Sequence, residues 1–302
     1  MNIFVAGASG AIGQPLITEL VRQGHTVTGM CRNEAGAQKL VALGATVAVV
    51  NAFDGAAVEQ ALRRSQAEVV IDELTALPKD PADYAAAFPS DRKLRLEGGG
   101  NLHRVAQVVG VRRYLQQASG FFLKAAGGLA DESAPLATDA SAGVAASAQM
   151  YAEVEARLLN SGKMEGIALL YGFFYGPNTW YCPEGAAADH ARRREMSIIG
   201  QGEGVWSFVH IEDAALATVA ALTVPPGIYN IVDDDPSPVS LWLPAFARWV
   251  GAPPLPQLTE QAAREVAGDD AVYYGTKLSG ASNDKAKQAF NFKPRRLQWL
   301  NQ

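Results

Sequence analysis

The chain begins with a short apolar run, "IFVA" at 3–6, and returns to such runs throughout its first half. "TVTGM" (26–30), "ATVAVV" (45–50), "EVVID" (68–72), "YLQQAS" (114–119) and "GIALLYG" (166–172) follow. Short runs bounded by polar or Gly-containing segments predict strands. Between them the apolar positions recur at helical spacing. "PLITELVRQG" sets Leu16, Ile17, Leu20 and Val21 on one face, and "AAVEQALRRS" and "NLHRVAQVVG" repeat the pattern. Gly24, Gly44 and Gly110 stand where helices end and a left-handed residue is commonly needed. Strand and helix in strict alternation predict crossover units, a parallel sheet and an α/β doubly wound fold.

After about Gly172 the alternation loosens. "YGPNTWYCPEGAAADHARRREM" is punctuated by Pro and Gly, and "VWSFVHIEDAALATVAAL" then returns to strand plus helix. "GIYNIVD" reads as another strand, and "SLWLPAFARWVG" and "SNDKAKQAF" read as helices, the second with Ser282 as its N-cap. Residues 124–147 are low in bulky apolar groups and predict a mobile surface loop. These shifts divide the chain into a domain over 1–175, completed by 205–232, and a smaller C-terminal portion over 176–302 that would bind substrate.

Composition narrows the partners. An apolar content of 48% over 302 residues suits a sizeable core. A net charge of −5 argues against nucleic acid or an anionic membrane, and no apolar run is long enough to span a bilayer. Structure starts at the first residues without a basic segment and apolar stretch before it, and Cys31 and Cys182 are the only cysteines. Both features make a cytoplasmic location the expectation. Four scattered His and two distant Cys have no metal-ligand spacing, so no metal is expected.

The candidate chemistry starts at "VAGASGAIG". Gly7, Gly10 and Gly13 lie between the first strand and the first helix, with Ser9, Ala11 and Ile12 among them. Gly7 permits the tight turn, Gly10 lets backbone approach a pyrophosphate, and Gly13 allows close helix–strand packing. The helix N-terminus then offers free N–H groups to phosphates. In this strand–turn–helix context the triplet predicts a dinucleotide site. At the end of the second strand, "GMCRNE" offers Arg32 where an acidic residue would bond the ribose 2′-hydroxyl. A guanidinium there suits a 2′-phosphate, so NADP is expected. Glu34 keeps NAD open, and Arg32 also reads as a solvated loop charge.

With these motifs the chain resembles the extended, atypical branch of the short-chain dehydrogenase/reductases, the NAD(P)-dependent epimerase/dehydratase family. The resemblance runs through "GASGAIG", "EGGGNLHRVAQVVGVRRYLQQAS", "LLYGFFYGPN", "GVWSFVHIEDAALATVAAL" and "GASNDKAKQAFNFKP". It implies a Rossmann domain with a C-terminal substrate-capping portion. It also implies that Asn51 and Phe53 lie near the adenine, and that Leu74, Thr75 and Ala76 run beneath the cofactor. Tyr171 to Phe174 would border the nicotinamide, and Ser119 matches a catalytic Ser that also reads as a satisfied strand-end hydroxyl. Many relatives dimerise through segments corresponding to 92–109 and 147–160, so a homodimer is expected.

One expected feature is missing. The family keeps a Tyr and, four residues on, a Lys that lowers the Tyr pKa and holds the nicotinamide ribose. In "QMYAEVEARLL" two registers are open: Tyr151 followed by Glu155, or Ser147 followed by Tyr151 in the Lys position. Spacing to "LLYG" favours the second, and neither holds the pair. Leu170 stands where the family often has Arg.

The reading is therefore a reductase or dehydrogenase of a small carbonyl or alcohol in which another residue handles the proton. Ser119, Tyr151 and Tyr175 are the chosen candidates, and Lys124 and His190 are also open; each has a packing or surface role as its alternative. The other readings are a cofactor-binding sensor without turnover, a non-redox enzyme, and a sugar-nucleotide epimerase or dehydratase. "FFYGPNTWY" gathers Phe173, Phe174, Tyr175, Trp180 and Tyr181 as a small-molecule pocket would, or as glue between lobes. Arg192, Arg193 and Arg194 could hold a diphosphate, but consecutive helical residues lie about 100° apart and cannot share one face.

Overall fold

In the computed structural model, which describes residues 1–300, the apolar runs become one parallel sheet. Its strands are β1 (Asn2–Ala6), β2 (Thr26–Cys31), β3 (Thr46–Val49), β4 (Val69–Asp72), β5 (Arg113–Ser119) and β6 (Glu165–Tyr171), with Gly227–Ile231 beyond β6. The order across the sheet is β3, β2, β1, β4, β5, β6 and Gly227–Ile231, every pair parallel. Side chains alternate between two cores because the strand period is two. Ile3, Val5, Val69 and Ile71 pack on one face with α1 (Gly13–Arg22) and the helix Ile211–Ala220. Phe4, Ala6, Val70 and Tyr114 pack on the other with α3 (Gly55–Ser65) and α5 (Gly99–Val109). α2 (Glu34–Ala42) follows β2. Since β1 and β4 are neighbours while β2 and β3 lie to one side, a crevice opens at the strands' C-terminal ends, where such sheets bind ligands.

Three local features depart from the pattern read above. Residues 124–147 are not one loop. α6 (Ala142–Leu159) takes up their last residues, because the Ala-rich run is a good helix former and its first turn has an outside partner. Ser141 makes no capping bond; instead Asp270 Oδ1, from the helix Glu260–Thr276, accepts from the Gly143 and Val144 N–H groups at 3.1 and 3.4 Å. The last helix begins at Asp284, one residue later than a Ser282 cap requires. Its N-cap is Asn283, although the Ser282 hydroxyl still accepts from Asp284 N at 3.2 Å.

The third is a continuous helix in which α4 (Tyr84–Lys93) passes through a π-helical stretch, Leu94–Gly98, into α5. The wider turn loosens the carbonyl ladder. Arg157 on α6 satisfies part of it, donating to the carbonyls of Arg95 and Leu96 at 3.2 Å each. Among the described residues, no helix is long and apolar enough to cross a membrane.

Candidate active site

The glycine loop leaves the end of β1 with two glycines fixed by the protein's own packing. Gly7 has φ +75°, and a Cβ there would lie 2.3 Å from the Glu73 carbonyl oxygen. A Cβ on Gly13 would lie 2.3 Å from the carbonyl oxygen of Ala8. Gly10 is different: it is exposed, and the nearest atom to its Cβ would be the Gly7 carbonyl oxygen at 3.1 Å. No side chain caps α1, whose N-terminus follows the buried Ile12. The partial positive charge of that helix end and the open Gly10 backbone, with Ser9 and Ala11 beside it, fit the pyrophosphate of a dinucleotide.

The rest of the cradle follows the strand ends. Arg32 is exposed after β2, and the cap of α2 falls to Asn33, which accepts from Gly36 N at 2.9 Å. Asn51 Oδ1 is engaged by Phe53 N at 3.1 Å, so only its second lone pair is left for an adenine amino group. The Phe53 ring is 43% exposed, enough to flank a base. Asp54 caps α3 through Ala57 N at 3.0 Å. Beneath the cradle, Leu74 N donates to Asp72 at 3.1 Å and Ala76 N to Asp91 at 2.6 Å, which holds Leu74, Thr75 and Ala76 in place.

The side chain of Tyr171, expected beside the nicotinamide, is turned into the core. It is 1% exposed, and its hydroxyl meets Glu73 Oε1 at 3.0 Å and Thr218 Oγ1 at 2.6 Å. Thr218 already donates its proton to Ala214 O at 2.7 Å. One phenol proton cannot serve both remaining contacts, and a protonated Glu73 resolves the count. Burial pushes the Glu73 carboxyl up to about 8, which agrees. The folded state thus keeps a proton that the unfolded chain releases near 4.5, so this group's contribution to stability declines as pH rises from about 4.5 to about 8. The slope is at most about 1.4 kcal/mol per pH unit. Urea unfolding of Glu73→Gln should therefore show a flatter pH dependence than wild type over that window; parallel curves would mean Glu73 is ionised.

The residues that stand where a proton-handling pair was expected lie on α6. Ser147 is 1% exposed, and its hydroxyl is 3.3 Å from that of Tyr84, which arrives from α4. Tyr151 is 4% exposed; its ring lies 5.4 Å from that of Phe122 and 5.3 Å from the Arg95 guanidinium carbon. Burial lifts the Tyr151 pKa well above that of a free phenol. Glu155, one turn on, is pushed up to about 7 by burial. Arg95 is itself buried, bonding Asp91 at 2.7 Å and Gln117 at 2.5 Å. Burial alone would disfavour its charge, but the paired Asp91 carboxylate outweighs that and keeps it protonated. Ser119 Oγ, at the end of β5, is buried without a hydrogen-bond partner, as a hydroxyl awaiting a ligand would be.

Aromatic rings form a wall nearby. Phe121 stacks on Phe173 at 4.1 Å and Phe173 on Trp206 at 4.0 Å, and Tyr274 lies 5.9 Å from Trp206. Phe174 packs 5.2 Å from Tyr171, on the α1 side of the sheet. Tyr175 is not brought to this locus: it is fully buried against His210 and Trp299, and its hydroxyl donates to Arg296 O at 3.3 Å. His190 links two segments, with Nε2 2.7 Å from Asp80 and Nδ1 2.6 Å from Glu195, while the Trp180 indole donates to Pro78 O at 3.1 Å. Lys124 pairs with Asp139 at 2.7 Å. Arg192 bonds Asp189 and the carbonyls of Pro183 and Val250, and Arg193 bonds Glu195, so both are engaged within their own portion.

Tyr84, Asp91 and Arg95 were not among the expected site residues. Their signal is faint: Asp91 and Arg95 are four apart, but Pro89 interrupts the helical pattern before them.

The family model described as the NAD dependent epimerase/dehydratase family matches residues 3–231. The chain belongs to this epimerase/dehydratase family. It is 37% identical to a 3-diazoavenalumate denitrifying reductase of a Streptomyces species, over 99% of this chain and 98% of that one. In fold it is similar to the Thermus thermophilus UDP-glucose 4-epimerase in complex with NAD, with a TM-score of 0.75, 23% identity, and 99% and 96% of the two chains covered. It is also similar to the Bacillus cereus UDP-glucuronic acid 4-epimerase in complex with UDP-glucuronic acid and NAD, with a TM-score of 0.74, 17% identity and the same coverage. Family membership and the reductase relative together point to a nicotinamide-dependent oxidoreductase.

Proposed function

We propose that this epimerase/dehydratase-family member is an NADPH-dependent reductase that replaces the diazo group of an aromatic acid with hydrogen. The observation that carries the reading is the make-up of α6. Ser147 and Tyr151 stand where the family's proton-handling pair is expected, and burial keeps Tyr151 from ionising. Reducing a carbonyl leaves an alkoxide that must be given a proton. Reducing an arenediazonium does not: a carbon–hydrogen bond forms, the carbon–nitrogen bond breaks, dinitrogen leaves, and the positive charge passes to the oxidised nicotinamide. The reductase relative, which is named for a diazo carboxylate, supplies the substrate class.

The bound nicotinamide would supply the hydride; the chain's residues supply the rest. Gly7, Gly10, Gly13 and the α1 N-terminus hold the pyrophosphate, Arg32 takes the 2′-phosphate, and Asp91 secures the backbone of Ala76 beneath the cofactor. Phe121, Phe173 and Trp206 offer a flat apolar surface for an arene and exclude water, which would otherwise displace the diazo group. The expected carbonyl substrate ranks second: the unpartnered Ser119 hydroxyl suits a carbonyl oxygen, but no Lys stands one turn after a tyrosine on α6 to lower its pKa for full proton transfer.

The test titrates NADPH and NADH by fluorescence, then mixes the NADPH complex with 3-carboxybenzenediazonium. Tighter NADPH binding, loss of nicotinamide absorbance and dinitrogen release are expected. Transfer from 4-deuterated cofactor should leave deuterium on the carbon that carried nitrogen. Oxidation of NADPH by a carbonyl panel, with none by the diazonium, would replace this reading with the second.

A further inference from the structure

A serine cannot do what the family's tyrosine does from the same position, because its hydroxyl stops far short of a phenol's reach. A phenol nonetheless arrives there from a different helix. Tyr84 crosses from α4 to place its hydroxyl 3.3 Å from Ser147 Oγ. It lies within electrostatic reach of Asp91, Arg95 and Asp270, and Tyr274 feels both Tyr84 and Tyr151. We infer that Tyr84, partnered by Ser147, is the substrate-facing hydroxyl of this site, and that it grips an oxygen conjugated to the ring bearing the diazo group. The preferred substrate class is thus a hydroxyaryl diazo acid.

Hydrogen-bond counting supports the direction. Ser147 has one proton; donated to Tyr84, it leaves the phenol proton free for a ligand. Among the described residues the Tyr84 hydroxyl has Ser147 Oγ as its hydrogen-bond partner and is not bonded to the nearby Tyr274 hydroxyl; Phe121 and Phe173 have no acceptor, and the Trp206 indole N–H is a donor already given to Tyr274 O at 2.8 Å. Asp91 is occupied by Arg95 and Ala76, and Asp270 by the first turn of α6. Burial keeps Tyr84 protonated, so it can donate. A polar pair set beside aromatic rings orients a ligand that stacks on them. On an ortho or para ring oxygen, such a donor draws electron density toward oxygen and away from the diazo group. That favours the electrophilic diazonium form over the neutral quinoid one, and hydride addition with it.

This inference rests on the reductase reading, and two measurements separate them. The first uses no turnover: NADP-bound protein is titrated with 4-hydroxybenzoate and with benzoate. Wild type should prefer the hydroxylated ligand by about tenfold or more. Tyr84→Phe should bring the ratio close to one while NADP affinity and the unfolding midpoint stay near wild type; Ser147→Ala should reduce the ratio less. The second follows hydride transfer to 3-diazonio-4-hydroxybenzoate and 3-diazoniobenzoate, where Tyr84→Phe should lower kcat/KM for the first by about 10- to 100-fold and narrow the gap between them. A Tyr84→Phe protein that keeps the wild-type preference in binding overturns the role of Tyr84. A preference lost in binding, with no diazonium consumed by wild type, upholds the oxygen grip and sinks the reductase reading alone.

Discussion

Arg95→Ala should destabilise the protein by about 3–5 kcal/mol, because it strands a buried carboxylate. Arg95 and Asp91 are 3% and 1% exposed and paired at 2.7 Å, in a region whose other walls are Tyr151, Leu94 and the sheet. Against a total of about 5–15 kcal/mol for a typical domain, that loss takes the variant close to its unfolding threshold. The pair as such need not be worth that much. Taking two charges out of water costs nearly what their attraction returns, so the large effect belongs to breaking the pair. Arg95→Met combined with Asp91→Asn should recover a substantial part of the loss, since the amide oxygen still accepts from Ala76 N while no charge is stranded. NADPH affinity should fall in Arg95→Ala beyond what stability explains, because Asp91 also anchors Ala76, in the stretch proposed to run beneath the cofactor. Urea unfolding of the single and double variants, each with its cofactor titration, decides the matter. If the double variant proves no more stable than Arg95→Ala, the charge-stranding account is wrong.

The same pair shows where reading the sequence stops. The strands of the sheet were legible because β1, β4 and their neighbours are buried on both faces, so apolar composition marks them directly. The glycine loop was legible because its spacing is set by backbone contacts that tolerate no substitute at Gly7 or Gly13. Arg95 and Tyr84 were hidden because their placement depends on the π-helical stretch Leu94–Gly98, which shifts the helix register without leaving a periodic trace in composition. Aromatic residues misled in the opposite way. Tyr171 and Tyr175 lie in a ring-rich segment near the expected nicotinamide, yet alternation along β6 and Phe173–Tyr175 turns both inward to Thr218 and Arg296. Which face a ring takes is a property of the sheet and of what covers it, and the segment alone does not carry that information. The start of α6 was missed for a related reason: its cap comes from Asp270, far along the chain.

Gly10→Ala and Gly13→Ala should fail in opposite ways, although both alter the same loop. At Gly13 the new methyl would sit 2.3 Å from Ala8 O and 2.5 Å from Ala8 C, and both are backbone atoms that cannot swing aside. The loop and the start of α1 must then move apart, at a cost of about 1–3 kcal/mol and in the absence of any ligand. Thermal unfolding of the free protein should register it directly. At Gly10 the only close neighbour is the Gly7 carbonyl oxygen at 3.1 Å, and the residue is exposed, so the free protein should unfold at nearly the wild-type temperature. Its methyl instead takes the space over which a pyrophosphate must approach the backbone, and NADPH should bind at least about tenfold more weakly. The contrast follows from what crowds each position: protein at Gly13, open surface at Gly10. A Gly10→Ala protein that binds NADPH like wild type would mean that the phosphates do not cross this loop, and the cradle would have to be sought elsewhere along the crevice. Loss of free-protein stability in Gly10→Ala equal to that in Gly13→Ala would instead make all three glycines structural, removing the loop as support for a bound dinucleotide.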